Sequence, residues 1–324
     1  MSTPSPDPSV RPRRCVVTGA GGFIGSHLVD RMLDAGHMVV GIDCFTDYYP
    51  RWIKERNITA ALGNPRFTLV EADLRTAEVG PLVDGADAVF HLAAMAGLLR
   101  SWTAFDDYVG CNVLATQRLL EAVRGASAGH LIHVSTSSVY GLDSSGDEER
   151  PTRPISPYGV TKLAAEHLVL AYARVHDLPF TILRYFSIYG PRQRPEMGYA
   201  VFIERVLRGE PITIHGDGNQ TRGNTFIDDC VAATLAAMAH GPAGTVINIG
   251  GGEVISALGA LRLIEAITGR QAQIVFGPPR PGEQQQALAD TNRAQAVLGW
   301  SPQVGIEAGL RAQVAWQQAM LATA

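Results

Sequence analysis

Cysteine is scarce, with four in 324 residues, and Cys15, Cys44, Cys111 and Cys230 form no C-x-x-C pair. Such scatter excludes a small disulfide scaffold and argues against a zinc site. It points instead to reduced, mostly buried thiols in a cytoplasmic protein. Long apolar runs are missing too, since none reaches the ~18 residues that a membrane span requires. Neither sign of charge is in excess: 27 Lys and Arg stand against 31 Asp and Glu, a net charge of −4. No basic stripe offers a nucleic-acid footprint, so neither nucleic acid nor membrane is an expected partner. The nine histidines are dispersed. His130 and His133 lie three apart in an apparent strand, where they face opposite ways and make poor joint metal ligands. No metal is expected. Residues 1–14 hold four prolines, and their arginines come last, without the apolar block that follows the charges of a signal peptide. Residues 1–12 read as a disordered tail, with Arg13 and Arg14 solvated ahead of the first strand.

Apolar residues make up 46% of the chain and charged residues 18%, enough for a sizeable core and too hydrophobic for bulk disorder. The length suits about two domains of ~150 residues. β-rich runs at 15–18, 38–43, 67–71, 88–91, 131–134 and 181–184 alternate with helical apolar spacing, as at 24–35, 103–123 and 158–175. That alternation predicts an α/β fold, a doubly wound parallel sheet with helices on both faces. After Tyr189, Gly and Pro clusters cut the chain into shorter pieces. Residues 13–189 are therefore expected to form the sheet domain. Residues 190–324 are expected to form mainly a smaller α/β lobe over the carboxyl ends of the strands, with the chain crossing back to the sheet domain. There are no internal repeats.

The first strand runs directly into Gly19-Ala-Gly21-Gly22-Phe23-Ile24-Gly25-Ser26 and then a helix. Gly19, Gly22 and Gly25 form G-x-x-G-x-x-G, which permits a tight turn, close approach of backbone to a diphosphate, and close packing of helix on strand. The helix start, with Phe23 and Ile24, offers free N–H groups and a positive dipole end to phosphates. A glycine cluster by itself fits any strand-to-helix loop. Here Asp43, at the end of the second strand, adds a carboxylate suited to both ribose hydroxyls of an adenosine. It would repel a 2′-phosphate, and no arginine follows it directly, so NAD is favoured over NADP. Asp73, before Leu74, either meets the adenine or caps a helix.

Tyr158-Gly-Val-Thr-Lys162 follows Pro157, which suits a helix start, and positions i and i+4 share one helical face. A phenol near pKa 10 is a poor base at neutral pH, but a neighbouring cation favours the phenolate. Lys162 and a positive nicotinamide ring would both act that way. An isolated Y-x-x-x-K is more often a solvated pair. Upstream, however, Val134-Ser-Thr136-Ser137-Ser138 ends a strand with hydroxyls placed to bond a substrate oxygen and relay a proton.

With these motifs in this order, the chain resembles the extended short-chain dehydrogenase/reductases of the nucleotide-sugar epimerase and dehydratase group. The resemblance covers residues 13 to about 318 through TGAGGFIGSHLVDRML, HLAAMAG, STSSVYG, YGVTK, RYFSIYGPRQRP and RPGEQQQALAD. It implies a Rossmann-type sheet domain with a smaller C-terminal substrate-binding lobe and bound NAD. It also implies that Asn112, Lys162 and Tyr185 join the NAD site, and that Ser137, Ser138 and Tyr158 surround the reacting sugar hydroxyl. A homodimer built on the helices at 103–123 and 158–175 is implied as well.

All such relatives oxidise C4 of the sugar. Dehydratases then need an acid–base pair directly after the threonine, where this chain has Ser137 and Ser138, so an epimerase is the implied activity. The stretch from Arg184 to Met197 is similar to that of UDP-glucuronate 4-epimerases, in which a hydroxyl residue and the second arginine hold the sugar carboxylate. Here those are Ser187 and Arg194, although Arg192 fits the same chemistry and either arginine fits lobe packing. The resemblance further places Arg222 and Arg280 on the diphosphate, and Ile214 and His215 beside the uridine. Asp229 reads as a helix cap. Two departures stand out. Arg222-Gly-Asn-Thr225 replaces Arg-Asp-Phe-Thr, and Arg100 lies one place later than the matching arginine of glucuronate epimerases. The expected substrate is a UDP-sugar, most simply UDP-glucuronate going to UDP-galacturonate. UDP-glucose 4-epimerase, UDP-glucuronate decarboxylase and a non-catalytic NAD-binding module are the rivals.

Overall fold

In the computed structural model, which describes residues 11–241, 243–279 and 286–322, the chain opens with β1 (Arg14–Thr18), α1 (Phe23–Asp34) and β2 (Met38–Asp43). Next come α2 (Arg51–Leu62), β3 (Phe67–Glu71), a one-turn α3 (Gly80–Val83) and β4 (Ala88–His91). Then α4 (Phe105–Tyr108), a π-helical stretch over Val109–Leu114 and α5 (Ala115–Gly125) run end to end toward β5 (His130–Thr136). α6 (Pro157–His176), β6 (Phe180–Tyr185) and β7 (Ser187–Tyr189) follow. The second half holds α7 (Gly198–Arg208), β8 (Pro211–His215), β9 (Thr221–Phe226), α8 (Ile227–His240), β10 (Thr245–Ile249) and β11 (Val254–Ser256). It ends with α9 (Ala257–Thr268), β12 (Gln273–Gly277), β13 (Gln286–Ala287), α10 (Asn292–Leu298) and α11 (Ile306–Leu321).

Seven strands form one parallel sheet in the order β10-β6-β5-β4-β1-β2-β3. Its central strands are buried on both faces, which is why β1 and β4 read as unbroken apolar runs rather than alternating ones. Successive side chains of β1 go to opposite faces. Cys15 and Val17 join a core shared with α1, α8 and the second half of the chain, and Val16 joins one shared with α5 and α6. From β1 the chain winds outward through β2 and β3, then restarts at β4 on the other side. The crevice at that reversal is where open α/β sheets bind ligands.

β10 comes from the second half yet pairs with β6, residue for residue from Thr245 opposite Thr181 to Ile249 opposite Tyr185. The remaining strands make smaller sheets: β8 pairs with β12, and β9 pairs with β7, β11 and β13. The helix expected over 103–123 is instead α4, the π-helical stretch and α5; a π-bulge admits an extra residue per turn and re-aims side chains. Arg13 and Arg14 are not simply solvated. Arg14 starts β1, with its N–H donating to Asp87 and its guanidinium to the Leu82 carbonyl, and Arg13 reaches the Met238 carbonyl. Asp229 caps no helix; its carboxylate accepts the N–H groups of Gln303 and Val304 and so ties down the approach to α11. The four cysteines are unpaired, and two of them, Cys15 and Cys230, are buried. Among the described residues no helix is long and apolar enough to cross a membrane, and no cluster of His, Cys, Asp or Glu is arranged to hold a metal.

Candidate active site

A cavity of about 270 Å³ opens over the carboxyl ends of the strands. Its lining joins Gly19, Gly22, Phe23, Ile24 and Gly25 with Asp43, Asp73 and Leu74, and with Thr136, Tyr158, Lys162, Tyr185 and Arg194. Residues as far apart in sequence as Gly19 and Met197 thus meet because the parallel strands end on one edge.

The part over β1 and β2 fits a dinucleotide. Gly19 has φ +73°, a left-handed turn that favours glycine. A Cβ on Gly25 would stand 2.1 Å from the Gly19 carbonyl oxygen, so only glycine lets α1 start this close to the strand. The N-cap of α1 is Gly22, with no side chain bonded over the helix end, so the first N–H groups are left for phosphate oxygens. Asp43 is nearly buried; its two oxygens accept from the N–H groups of Gly21 (2.9 Å) and Phe45 (2.8 Å). Each oxygen keeps acceptor capacity for ribose hydroxyls, and the same bonds fix the glycine loop to β2. Asp73 also lines the cavity, but it caps a turn rather than a helix. It accepts from the Arg75 N–H at 2.8 Å and pairs with the Arg75 guanidinium, whose bonds hold its carboxyl below the usual range.

Asn112 contributes at one remove. Its side chain accepts from the Met95 N–H (2.8 Å) and donates to the Met95 carbonyl (2.9 Å) and Thr161 (3.1 Å), so its amide is spent on holding the loop after β4 against α6. It does not line the cavity, whereas its neighbours Cys111 and Ala115 do. Tyr185 lines it with its hydroxyl turned to Thr234 at 2.6 Å.

The residues expected to be catalytic meet at the start of α6 and the end of β5. Ser156 caps that helix by accepting from the Gly159 N–H, and Pro157 occupies the first turn, where its missing N–H costs nothing. Tyr158 and Lys162 project from the next turns. The Lys162 ammonium donates to the Val134 carbonyl at 2.7 Å, at the end of β5. Burial pulls its pKa down to about 8, while Glu166 one turn further along opposes the shift. Tyr158 is hydrogen-bonded to Thr136. Without a nicotinamide ring beside it, burial pushes Tyr158 above its ordinary pKa, with Thr136 and the charge of Arg194 pulling the other way. Arg194 thus adds a positive charge that favours the phenolate, while the Lys162 ammonium is held at the Val134 carbonyl.

Hydroxyls continue from Thr136 to Ser138, with the two Oγ atoms 3.3 Å apart and the Ser138 N–H donating back to Thr136. Ser137 and Ser138 lie on the short 3-10 turn that follows and do not line the cavity themselves. The structure places the two arginines differently. Arg192 turns away to pair with Asp30 of α1 at 2.8 Å, and Arg194 faces the cavity. Ser187 does not join Arg194 there; it is paired opposite Asn224 in β7, and Phe186 and Ile188 line the wall instead.

Of the residues expected at the nucleotide, Ile214, His215 and Arg222 do not line this cavity. Ile214 is 2% exposed and packs in the core, which leaves its backbone rather than its side chain for any ligand. His215 is bonded to the Pro278 carbonyl at 3.1 Å. Arg222 donates to the Thr221 carbonyl, and the departure Arg222-Gly-Asn-Thr225 runs unbroken through β9. Arg280 lies outside the described residues.

Sequence reading missed the loop between β2 and α2 and the first turn of α2. Thr46, Tyr48, Tyr49 and Lys54 all line the cavity. Lys54 is nearly buried and donates to the Thr46 carbonyl (2.9 Å) and hydroxyl (3.1 Å), holding the loop inward. The signal was the aromatic pair Tyr48-Tyr49-Pro50 so soon after the Asp43 carboxylate.

Comparison with known proteins agrees with this geometry. The crystal structure of UDP-glucuronic acid 4-epimerase from Bacillus cereus, in complex with UDP-glucuronic acid and NAD, is 42% identical in sequence. It superposes with a TM-score of 0.92, over 95% of this chain and 99% of that one. An uncharacterized UDP-glucose epimerase, YtcB of Bacillus subtilis (strain 168), is 41% identical over 94% of this chain and 97% of its own. A UDP-glucuronate 4-epimerase of Thermodesulfobacterium geofontis (strain OPF15) is 33% identical over 94% and 95%. The family model for NAD dependent epimerases and dehydratases matches residues 15–250, and the chain belongs to that NAD dependent epimerase/dehydratase family.

Proposed function

We propose that this protein is an isomerase that interconverts UDP-glucuronate and UDP-galacturonate by NAD-dependent inversion at C4, through a 4-keto sugar. The observation that carries the reading is the presence of a base, Tyr158, and a cation suited to a carboxylate, Arg194, in the one cavity that also holds the glycine loop. The family relationship and the Bacillus cereus enzyme's substrate support it.

When bound, NAD supplies a reversible hydride acceptor at C4 and a positive ring beside the phenol. Gly19, Gly22, Gly25 and the start of α1 would hold its diphosphate, and Asp43 its adenosine ribose. Tyr158 takes the proton of the C4 hydroxyl and later returns it, with Thr136 and Ser138 passing hydrogen bonds along. Lys162, held by Val134, keeps a positive charge beneath the same site. Arg194 pairs with the sugar carboxylate. By holding that group it also restrains loss of carbon dioxide from the β-keto acid that oxidation creates. Elimination across C5 and C6 would need a further acid and base after Thr136, where the chain has only the hydroxyls of Ser137 and Ser138.

A neutral hexose is the second reading, favoured by the absence of Ser187 from the wall beside Arg194 and by the name of the Bacillus subtilis relative. A panel of sugar nucleotides incubated with protein and NAD, with products identified by NMR, tests both. UDP-galacturonate from UDP-glucuronate is the expected result. A UDP-pentose would mean decarboxylation, turnover of UDP-glucose alone would select the second reading, and no turnover of any UDP-hexose would leave a binding module.

We also infer a homodimer, supported by exposed apolar side chains on two adjoining helices: Phe105 and Leu114 on the run from α4 to α5, and Val160 and Leu170 on α6. Sedimentation at micromolar concentration checks it. Four unpaired cysteines suit a cytoplasmic location.

A further inference from the structure

Beside the cavity lies a set of contacts that the chemistry above leaves unused. The Arg194 guanidinium stands 5.6 Å from the centroid of the Tyr48 ring, and that of Arg100, on the loop after β4, stands 4.9 Å from the same centroid. The ring itself is anchored. Its hydroxyl is hydrogen-bonded to Tyr108 and fills the space of an absent side chain at Gly97, whose Cβ would be 2.4 Å away. Tyr108 bonds the Ala96 and Gly97 carbonyls and meets Tyr158 edge to face, with ring centroids 6.2 Å apart. One aromatic ring therefore links three separate stretches of chain around the reacting position.

Charge in this cluster is unbalanced. Arg194 Nε is 2.9 Å from Glu196, close enough for an ion pair but not aligned as a hydrogen bond, and Glu196 is the only carboxylate within 4 Å of either arginine among the described residues. Two guanidiniums against one carboxylate leave a net positive charge. An aromatic face attracts a cation through its quadrupole without neutralising it. Tyr48 can thus fix where Arg194 lies while leaving its charge available to a ligand, which a second carboxylate could not do.

We propose that Tyr48 is a specificity-determining residue: its ring positions the Arg194 guanidinium to receive a carboxylate on the sugar, and so sets the preference for UDP-hexuronates over neutral UDP-hexoses. This rests on the reading of Arg194 given above. Without the ring, the ion pair with Glu196, already 2.9 Å away, is the contact left to set where Arg194 lies, and the guanidinium is no longer held toward the substrate.

The test is isothermal titration calorimetry on NAD-loaded protein with UDP-glucuronate, UDP-glucose and UDP. Tyr48→Leu is expected to lower the preference for UDP-glucuronate over UDP-glucose about tenfold, equivalent to about 1.4 kcal/mol, with the affinity for UDP unchanged. Tyr48→Phe keeps the ring and is expected to keep the preference. Should Tyr48→Leu fail to fold, Tyr48→Gln carries the same expectation. A Leu or Gln variant that retains the wild-type preference, or that weakens all three ligands equally, overturns the role of Tyr48. A wild-type protein with no preference for UDP-glucuronate overturns the hexuronate reading itself, and the role of Tyr48 with it.

Discussion

Over β1 and β2 the cavity presents mostly backbone, set by glycines and one carboxylate within a single stretch of some thirty residues. Around Tyr158 and Arg194 it presents side chains brought from the loop after β2, the loop after β4, the end of β5, the start of α6 and the segment after β7. The first part depends on what is missing: a Cβ at Gly25 has nowhere to go. The second depends on what is touching, with Tyr158 on Thr136, Lys162 on Val134 and Arg194 beside Tyr48. On the proposed reading, the cofactor would be held by fixed geometry and the choice of substrate left to side chains that can be exchanged one at a time.

If that division is right, substitutions in the two parts fail in different ways. Tyr158→Phe is expected to have the largest effect, a fall in kcat on the order of 10³-fold, typical of a lost general base, with NAD affinity by calorimetry near wild type. A rate within a few-fold of wild type would remove the phenol from the chemistry. Arg194→Gln comes next, with kcat/KM for UDP-glucuronate reduced about 100-fold by steady-state kinetics while that for UDP-glucose changes little. Equal losses for both sugars would make Arg194 structural. In the backbone part, Gly25→Ala is expected to cost about 1–3 kcal/mol of stability in urea unfolding and to weaken NAD binding, since the added carbon meets the Gly19 carbonyl. An unchanged protein would mean that the turn can shift.

The smallest effect concerns neither part but the floor beneath them. His91 and His133 are buried; His91 is bonded to Thr18 and Thr116, and burial lowers its pKa to about 3. His133, with no hydrogen-bond partner for either ring nitrogen among the described residues, is likewise held well below the ordinary value by burial, helped by Lys162 and His91. Both are neutral in the native state and take up a proton near pH 6.5 when unfolded. Unfolding therefore binds protons as pH falls, so this stability is present above pH 6.5 and is lost below it. Each histidine should cost about 1 kcal/mol between pH 6.5 and 5.5, measured by urea unfolding at the two values. His133→Phe should reduce the measured dependence by about 1 kcal/mol over that interval.

What could be read in advance follows from the same contrast. Six strands of the large sheet stood out because a strand buried on both faces is a short apolar run, and the glycine loop, Asp43, Tyr158 and Lys162 stood out because their roles lie in local spacing. β10 was hidden, since Thr-Val-Ile-Asn-Ile looks like any short strand of the second half until it finds β6. Tyr48 and Gly97 were hidden because each matters only through the other, across half a hundred residues. Ser187 and Ile214 were placed by their neighbours in sequence, but strand pleating turns alternate side chains away from a surface, and these two do not line the cavity.

The late arrival of β10 has a consequence for biosynthesis. A nascent polypeptide that has emerged only as far as Tyr189 already contains the glycine turn and the phenol–ammonium pair, yet its β6 has a bare flank of unsatisfied amides and carbonyls until Ile249 follows. Such a flank is a template for a strand from another molecule. The ribosome must therefore deliver about sixty more residues before the dinucleotide platform is safe from self-association, and a gene fragment cut after Tyr189 should yield inclusion bodies rather than a soluble cofactor-binding module.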